Sequence, residues 1–159
     1  AWEPEGAGED VDTARSRQGY IVSYCGVPLF WKSQMQTEIA LSSTEAEFIA
    51  LATATQAAIP IQRILMEMKE LGFPVVTDKN SIHCRVLEDN NGALLLATKQ
   101  RITNRTKYFL VKWHFFWHHV RNGDVEVLKI ATTDQLADYL TKGLNREVFE
   151  RIRKLAQGW

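Results

Sequence analysis

The chain has 159 residues, 45% of them hydrophobic and 24% charged, which is enough for one folded domain with its own core. Lysine plus arginine and aspartate plus glutamate each number 19, so net charge does not indicate a nucleic-acid partner and any basic surface must be local. The two cysteines lack a metal-binding spacing and no apolar run approaches the length of a membrane span, so we expect an intracellular, non-secreted protein with no membrane partner.

The first part of the sequence predicts a loop followed by a strand pair. Residues 1–18 are acidic and glycine-rich, contain a proline and predict an exposed loop. Residues 19–26 form a short β-rich run that ends in glycine, and residues 28–42 supply one or two further strands. The Val27-Pro28 dipeptide between these runs predicts the turn.

The middle of the sequence predicts a long helix, a strand and two further helices. A helical pattern covers about residues 44–71, and Pro60 within it predicts a kink or two consecutive helices. Residues 81–89 alternate apolar and polar side chains as a strand does, and residues 90–98 predict a short helix. Over residues 105–121 apolar side chains recur at helical spacing, which predicts a broad buried stripe.

The last part predicts a strand and two helices. Residues 124–131 predict the strand, and residues 132–144 predict a helix in which Thr132 and Gln135 are spaced as a capping box. Residues 145–156 predict a final amphipathic helix. The order of strands and helices along the chain is that of an α/β domain with a mixed sheet.

Three carboxylates stand where predicted elements begin or end. Glu47 lies in the first turn of the long helix, Asp89 ends a strand, and Asp138 lies in the helix after the last strand. The ends of strands are where α/β proteins gather their sites. Glu45 and Glu47 cannot share a helix face, because positions two residues apart differ by about 200°. One of these glutamates therefore faces solvent and the other faces the domain, and periodicity leaves open which.

Each of the three acids also has a purely structural interpretation. Glu47 follows Thr44 by three residues, which is the spacing of a capping box. Ser42 and Glu45 have the same spacing in an earlier register. The strand-end aspartate is placed to cap the helix that follows it. The last aspartate lies four residues before Lys142, as in a surface ion pair.

Four sequence blocks in one order carry a family resemblance. They are "GYIVSYCGVPLFWKSQMQTEIALSSTEAEFIALATA", "LEDNNGALLLA", "NRTKYFLVKWHF" and "TTDQLADYLTKGL". These blocks resemble the ribonuclease H domain of copia-type LTR retrotransposon polyproteins, from about Arg17 to Phe149. The "SSTEAEFIAL" and "ADYLTKGL" segments are the most distinctive parts.

The resemblance implies a fold, an activity and a setting. The expected fold is an α/β, ribonuclease H-like mixed sheet flanked by helices over residues 19–145. It would follow an acidic loop or linker remnant at 1–18 and precede a C-terminal helix and tail at 146–159. The expected activity is hydrolysis of RNA in RNA–DNA hybrids during reverse transcription. The expected partner in the same polyprotein is a reverse transcriptase domain, in a cytoplasmic particle or the nucleus.

The resemblance also assigns the three acids. Glu47, Asp89 and Asp138 would be the catalytic metal ligands, which makes Glu47 the inward-facing glutamate. The implied cofactor is a pair of Mg²⁺ ions, with Mn²⁺ as the alternative. Two such ions make the attacking water more acidic and stabilise the leaving oxyanion, and Mg²⁺ prefers carboxylate oxygens.

The family pattern contains one more aspartate, on a first central strand that precedes the acidic loop. We expect this strand and its aspartate to be missing from the chain. Removing a central strand leaves unpaired backbone groups and a split sheet. It also leaves the three acids without the ligand that would bridge both metals, so we expect weak activity or none. The alternative function is an inactive ribonuclease H-fold remnant, or a connection-like module, that binds polymerase or nucleic acid.

Contacts with the nucleic acid are expected from polar and basic residues near the acids. The block "KQRITNRTKYFLVKWH" concentrates positive charge, and within it we expect Arg105 and Lys107 to contact hybrid phosphates, with a solvated helix start as the structural alternative. Ser43 and Asn90, beside the expected ligands, are further candidates. Two histidines one turn apart in "WHFFWHHV" have a zinc-type spacing, but without a third ligand they indicate surface or core-edge side chains.

Overall fold

The computed structural model describes residues 9–10, 14–76, 82–99 and 110–158, and within them the chain is mixed α/β. The elements, in chain order, are β1 (Glu9–Asp10), β2 (Arg15–Tyr24), β3 (Val27–Met35), α1 (Ser43–Glu70), β4 (Cys84–Glu88), α2 (Asn91–Lys99), α3 (Leu110–Arg121), β5 (Val125–Lys129) and α4 (Arg146–Gln157). Two short 3₁₀ helices, Thr132–Asp134 and Leu136–Leu140, lie between β5 and α4.

The chain divides into two compact units. The first contains residues 1–50 and 131–159, and the second contains residues 51–130. The first unit carries β1, β2, β3, the start of α1, both 3₁₀ helices and α4. The second unit carries the rest of α1 together with β4, β5, α2 and α3.

An antiparallel sheet of β1, β2 and β3 forms the strand part of the first unit. Tyr24 pairs with Val27, so Cys25 and Gly26 form a two-residue hairpin turn, with φ of 52° and 79°. Positive φ at both positions matches the twist of the flanking strands. The predicted turn at Val27-Pro28 is therefore wrong. Pro28 instead lies in β3 next to a bulge at Leu29, the extra residue between the pairs Val22–Phe30 and Ser23–Pro28, and a missing N–H is tolerated at a bulge.

The hairpin extends into the segment predicted as an exposed loop. β2 begins at Arg15, and Glu9 and Asp10 pair with its first residues, so the loop prediction for 1–18 is wrong over these positions. The buried side chains of Gln18 and Tyr20 show the period-two pattern of a strand with one covered face. The sequence did not predict the start of this strand, because the glycine and acidic residues upstream are typical of a loop.

The second unit contains a parallel pair, β4 with β5, in register from Cys84 opposite Val125 to Glu88 opposite Lys129. Across the residues that the structure describes, this pair and the antiparallel sheet are separate. The single mixed sheet expected from element order is thus not formed there. The strands instead form two sheets, as a split sheet would. A ribonuclease H-like arrangement of these elements remains a proposal.

Helix α1 runs without interruption through Pro60, so the prediction of two consecutive helices is wrong. The carbonyl of Gln56 loses its usual partner, because proline has no N–H. Both Pro60 and Gln56 are exposed, so water can satisfy that carbonyl. The buried residues of α1 recur every three or four positions: Phe48, Ile49, Leu51, Ala52, Thr55, Ala58, Ile59 and Gln62.

By length and composition α1 could span a membrane, which corrects the expectation that no segment approaches that length. Its most apolar window of 18 residues has a mean hydropathy of 1.3, and 44% of the window is buried inside the protein. A core helix with one buried stripe passes the same test of length and hydropathy. The absence of a membrane partner therefore stays a prediction.

Buried polar and aromatic contacts hold the second unit together. The Gln62 amide of α1 donates hydrogen bonds to the Ile82 carbonyl at 2.7 Å and to the Asp124 carbonyl at 3.1 Å, just before β4 and β5 begin. Phe116 and Trp117 of α3 are buried, as the aromatic stripe predicts for these two positions. The Trp117 indole N–H donates to the Leu96 carbonyl at the end of α2.

Candidate functional site

The N-terminus of α1 uses one of its two neighbouring glutamates as a cap. The Ser42 hydroxyl accepts a hydrogen bond from the Glu45 N–H at 3.2 Å, and the Glu45 carboxylate accepts one from the Leu41 N–H at 2.8 Å. This is a capping-box type of arrangement in the earlier of the two registers that the sequence offers. It uses Glu45, while Glu47 is half-buried and Ser43 is the exposed first residue of the helix. The metal-ligand role of Glu47 and the nucleic-acid role of Ser43 stay predictions.

Asp89 follows β4 at the carboxyl end of the parallel pair, where it is half-buried. The cap of α2 is its neighbour Asn90, whose side-chain oxygen accepts hydrogen bonds from Gly92 N–H at 2.8 Å and Ala93 N–H at 3.0 Å. The capping interpretation therefore applies to Asn90 rather than to Asp89. Because that amide oxygen is committed to the cap, any contact of Asn90 with nucleic acid would have to involve the rest of the side chain.

Two charged residues near Asp89 were not singled out from the sequence. Glu88 is 5% exposed, and its carboxylate accepts a hydrogen bond from the Asn90 N–H at 2.8 Å. The Lys129 ammonium at the end of β5 donates to the main-chain carbonyl of Asp89. Side chains of a strand alternate between its two faces, so Glu88 shares the more buried face of β4 with Cys84 and Val86. The sequence pattern could have indicated this position. No local signal indicates Lys129, since its position depends on the β4–β5 register.

Asp138 lies in the second 3₁₀ helix, so the prediction of one helix over residues 132–144 with a Thr132–Gln135 capping box is wrong. Gln135 has an extended backbone, with φ −69° and ψ 99°, and separates the two 3₁₀ helices. The first of these helices has no side-chain cap, and the Gln135 side chain instead accepts a hydrogen bond from Ala137 N–H.

Strands β2 and β3 hold the segment that carries Asp138. A Cβ added to Gly19 would lie 2.7 Å from the Leu140 Cβ and 2.9 Å from the Thr141 Cγ2, so β2 approaches this segment as closely as a glycine permits. The Ser33 hydroxyl of β3 donates to the Leu140 carbonyl at 2.6 Å. This close packing explains why the local pattern of an α-helix is not followed here.

The carboxylate of Asp138 is paired with the ammonium of Lys142. The Lys142 Nζ lies 2.9 Å from the Asp138 Oδ1, and the lysine N–H also donates to the Asp138 carbonyl at 2.9 Å. The Asp138 side chain is 11% exposed, whereas the Lys142 side chain is 46% exposed. The ion pair expected as the structural alternative is thus formed, with its carboxylate buried rather than on the surface.

The other candidates lie on α3 or near it. Arg105 and Lys107 fall outside the residues that the structure describes, so their contacts with a hybrid stay predictions. His114 and His118 are exposed, and the His118 Nε2 lies 3.0 Å from the Asn122 side-chain nitrogen. These exposed positions confirm the prediction of surface side chains for the two histidines.

The chemistry of the three acids suits Mg²⁺, which prefers carboxylate oxygens. Within the described part of the chain, no group of three or more His, Cys, Asp and Glu side chains is arranged to hold a metal ion. One of the expected ligand carboxylates, that of Asp138, is held by an ammonium group. A site for two Mg²⁺ or Mn²⁺ ions on Glu47, Asp89 and Asp138 therefore stays a prediction.

Comparison with curated proteins gives relatives over most of the chain. The retrovirus-related Pol polyprotein from transposon TNT 1-94 of Nicotiana tabacum is 33% identical over 146 residues, which cover 92% of this chain and 10% of that protein. Two Pol polyproteins of Arabidopsis thaliana are also similar. That of transposon RE1 is 36% identical over 90% of this chain and 9% of its own length. That of transposon RE2 is 34% identical over 91% of this chain and 9% of its own length.

No protein-family profile and no solved structure matches the chain. The chain spans about a tenth of the length of the curated relatives that it matches. Over about nine tenths of its own length, the chain is homologous to one segment of the retrovirus-related Pol polyproteins of transposons.

Proposed function

We propose that the chain is the ribonuclease H domain of a copia-type retrotransposon polyprotein and hydrolyses the RNA strand of RNA–DNA hybrids. The observation that carries the proposal is similarity to transposon Pol polyproteins over nine tenths of the chain. The acids at the start of α1, at the end of β4 and in the second 3₁₀ helix support it by their chemistry. A reverse transcriptase domain of the same polyprotein is the proposed partner.

Glu47, Asp89 and Asp138 are the proposed holders of Mg²⁺ or Mn²⁺. When bound, the ions would activate water and stabilise the leaving oxyanion. The protein's own part is to supply negative charge from separate elements and to orient it. The capped N-terminus of α1 fixes the chain before Glu47, and the Asn90 cap with the Lys129 contact fixes the backbone on either side of the Asp89 carboxylate.

The second candidate is a non-catalytic module that binds hybrid or polymerase. Two observations favour it. The Asp138 carboxylate is paired with Lys142, and among the described residues no group of three or more His, Cys, Asp and Glu side chains is arranged to hold a metal ion. A buried carboxylate with its own counter-ion needs no metal for stability. Such a module would keep the fold and the nucleic-acid surface without the hydrolytic step.

A cleavage and binding assay separates the two candidates. The chain is incubated with an end-labelled RNA annealed to DNA, in Mg²⁺ and then in Mn²⁺. The matched variants Glu47→Gln, Asp89→Asn and Asp138→Asn each remove one negative charge, and Glu67→Gln, on an exposed position of α1, is the control. Cleavage that falls at least about 100-fold in all three variants but not in the control supports the enzyme.

Other results have definite meanings. Hybrid binding without cleavage in either metal supports the non-catalytic module. Cleavage that is equal in wild type and in the three variants contradicts the assigned ligands. A chain that neither binds nor cleaves the hybrid contradicts both candidates.

A further inference from the structure

Lys129 combines an exposed side chain with a fixed position. It is the last residue of β5, and its ammonium donates a hydrogen bond to the main-chain carbonyl of Asp89. A surface lysine without such a contact samples many rotamers, so a lysine that is already fixed loses less entropy when it binds a ligand. The hydrogen bond holds the ammonium at the carboxyl end of the β4–β5 pair, which is where open α/β sheets bind their ligands.

The positive charge of Lys129 is not neutralised by a neighbouring carboxylate. Its partner in the parallel register is Glu88, but the Glu88 side chain is buried and its carboxylate accepts a hydrogen bond from the Asn90 N–H at 2.8 Å. Within the part of the chain that the structure describes, Lys129 forms no ion pair, and the Asp89 carbonyl is its one hydrogen-bond acceptor. An ammonium has three N–H donors, so two of them remain for a ligand.

Asn90 offers further donors next to this ammonium. Its side-chain oxygen accepts hydrogen bonds from the N–H groups of Gly92 and Ala93, and an amide NH₂ group could not take that place. The cap therefore turns the NH₂ group of Asn90 away from the start of α2, and this group has no acceptor among the described residues. Donors of Lys129 and Asn90 thus lie around the peptide group that joins Asp89 to Asn90.

A phosphodiester group fits this set of donors. It carries a negative charge and accepts hydrogen bonds through its oxygens, and lysine and asparagine side chains both donate to backbone phosphates. The first turn of α2 contains no acidic residue, whereas the Asp89 carboxylate would repel an anion. A cation fixed on the main chain of Asp89 offsets that repulsion, so it allows a phosphate to approach this aspartate.

We propose that Lys129 binds a backbone phosphate of the RNA–DNA hybrid and, together with the Asn90 NH₂ group, positions that phosphate beside Asp89. The proposal rests on the proposed function, in which the hybrid is the substrate. A lysine acts on phosphate as a point charge, so the contact contributes affinity and register and does not read the base sequence.

The first test measures hybrid binding by fluorescence anisotropy in EDTA, so that neither metal nor cleavage affects the result. Wild type, Lys129→Met, Lys129→Arg and Lys154→Met are titrated with a labelled RNA–DNA hybrid between about 50 and 200 mM KCl. Loss of one phosphate contact in Lys129→Met should weaken binding several-fold and reduce the slope of log affinity against log salt concentration by about 1. Lys129→Arg keeps the charge and should keep the slope.

Lys154→Met is the control, because Lys154 is an exposed lysine of α4 and its loss changes the net charge equally. Its affinity should stay within about twofold of wild type, with the same slope. A slope that is equal in wild type and Lys129→Met overturns the inference. Lys129→Gln replaces Lys129→Met if the methionine variant does not fold.

The second test locates the phosphate. A set of hybrids is made in which each carries one uncharged methylphosphonate linkage. At the linkage that Lys129 contacts, the substitution should weaken binding by wild type and by Lys154→Met but not by Lys129→Met, because two changes to one contact are not additive. Additive effects at every linkage would overturn the contact.

The outcomes distinguish this inference from the proposed function. Metal-dependent cleavage of the hybrid, with equal salt slopes in wild type and Lys129→Met, overturns the inference alone. A slope that falls in Lys129→Met, without cleavage in either metal, supports the inference and contradicts the enzyme. If wild type does not bind the hybrid, both the inference and the proposed function fail.

Discussion

Gly19 lies at a point where strand β2 and the end of the second 3₁₀ helix are too close for a larger side chain. A Cβ there would be 2.7 Å from the Leu140 Cβ and 2.9 Å from the Thr141 Cγ2. We expect Gly19→Ala to lower the free energy of unfolding by about 1–3 kcal/mol, because the strand or the segment must move. Urea denaturation followed by circular dichroism measures this change.

Gly26→Ala is the control for Gly19→Ala. An added Cβ at Gly26 meets nothing within 4 Å, but the residue has a φ of 79°. Its cost should therefore come from backbone conformation alone, about 1 kcal/mol. If Gly19→Ala proved no more destabilising than Gly26→Ala, the close approach of β2 would be contradicted.

The two cysteines differ in their surroundings and should differ in reactivity. Cys25 is exposed at the tip of the β2–β3 hairpin, whereas burial raises the pKa of the Cys84 thiol above its usual value. Alkylating reagents attack the thiolate, so Cys84 needs a higher pH than a free thiol and is also shielded. We expect iodoacetamide at pH 8 to modify Cys25 at least about tenfold faster than Cys84. Equal rates by peptide mass spectrometry would count against the half-buried placement of Cys84.

At the level of elements, the Gln62 amide connects α1 to the starts of both parallel strands. Replacing it with leucine removes two hydrogen bonds and leaves the Ile82 and Asp124 carbonyls with fewer donors. We expect Gln62→Leu to cost about 1–3 kcal/mol of unfolding free energy. Gln56→Leu, at an exposed position of the same helix, should change stability by less than about 0.5 kcal/mol. Denaturant midpoints that shift equally in both variants would refute this role of Gln62.

The elements also show which features a sequence can predict. The pattern over residues 44–71 predicted α1 (Ser43–Glu70) closely, because a long apolar period is a strong local signal. The hairpin turn was missed because Cys25, with a φ of 52°, occupies a position that sequence rules assign to glycine, asparagine or aspartate. The 3₁₀ geometry around Asp138 depends on contacts with β2 and β3, which no local window contains.

The candidate site was predictable to a different degree. The three acids could be named because a family resemblance singled them out, whereas spacing alone left each with a structural interpretation. The partners of those acids were harder to find. Lys142 could be paired with Asp138 from helical spacing. Lys129 lies 40 residues after Asp89 and reaches its carbonyl only through the register of β4 and β5.

For the whole molecule, the shared helix α1 is the feature with the widest effect. Residues 43–50 of α1 belong to the first unit and residues 51–70 to the second. We expect Ala50→Pro to raise amide hydrogen exchange in peptides of both units, since an interior proline costs a helix about 3 kcal/mol or more. Ser43→Pro is the control, because proline is tolerated at the first helical position. Faster exchange confined to one unit would contradict this prediction.

The division of the chain also has a consequence for its synthesis. The first unit is completed only by residues 131–159, which leave the ribosome after every residue of the second unit. The β2–β3 hairpin is made early, yet Leu140, which accepts the Ser33 hydrogen bond and packs on Gly19, is translated more than a hundred residues later. The hairpin therefore lacks these contacts with Leu140 while residues 51–130 emerge and begin to fold.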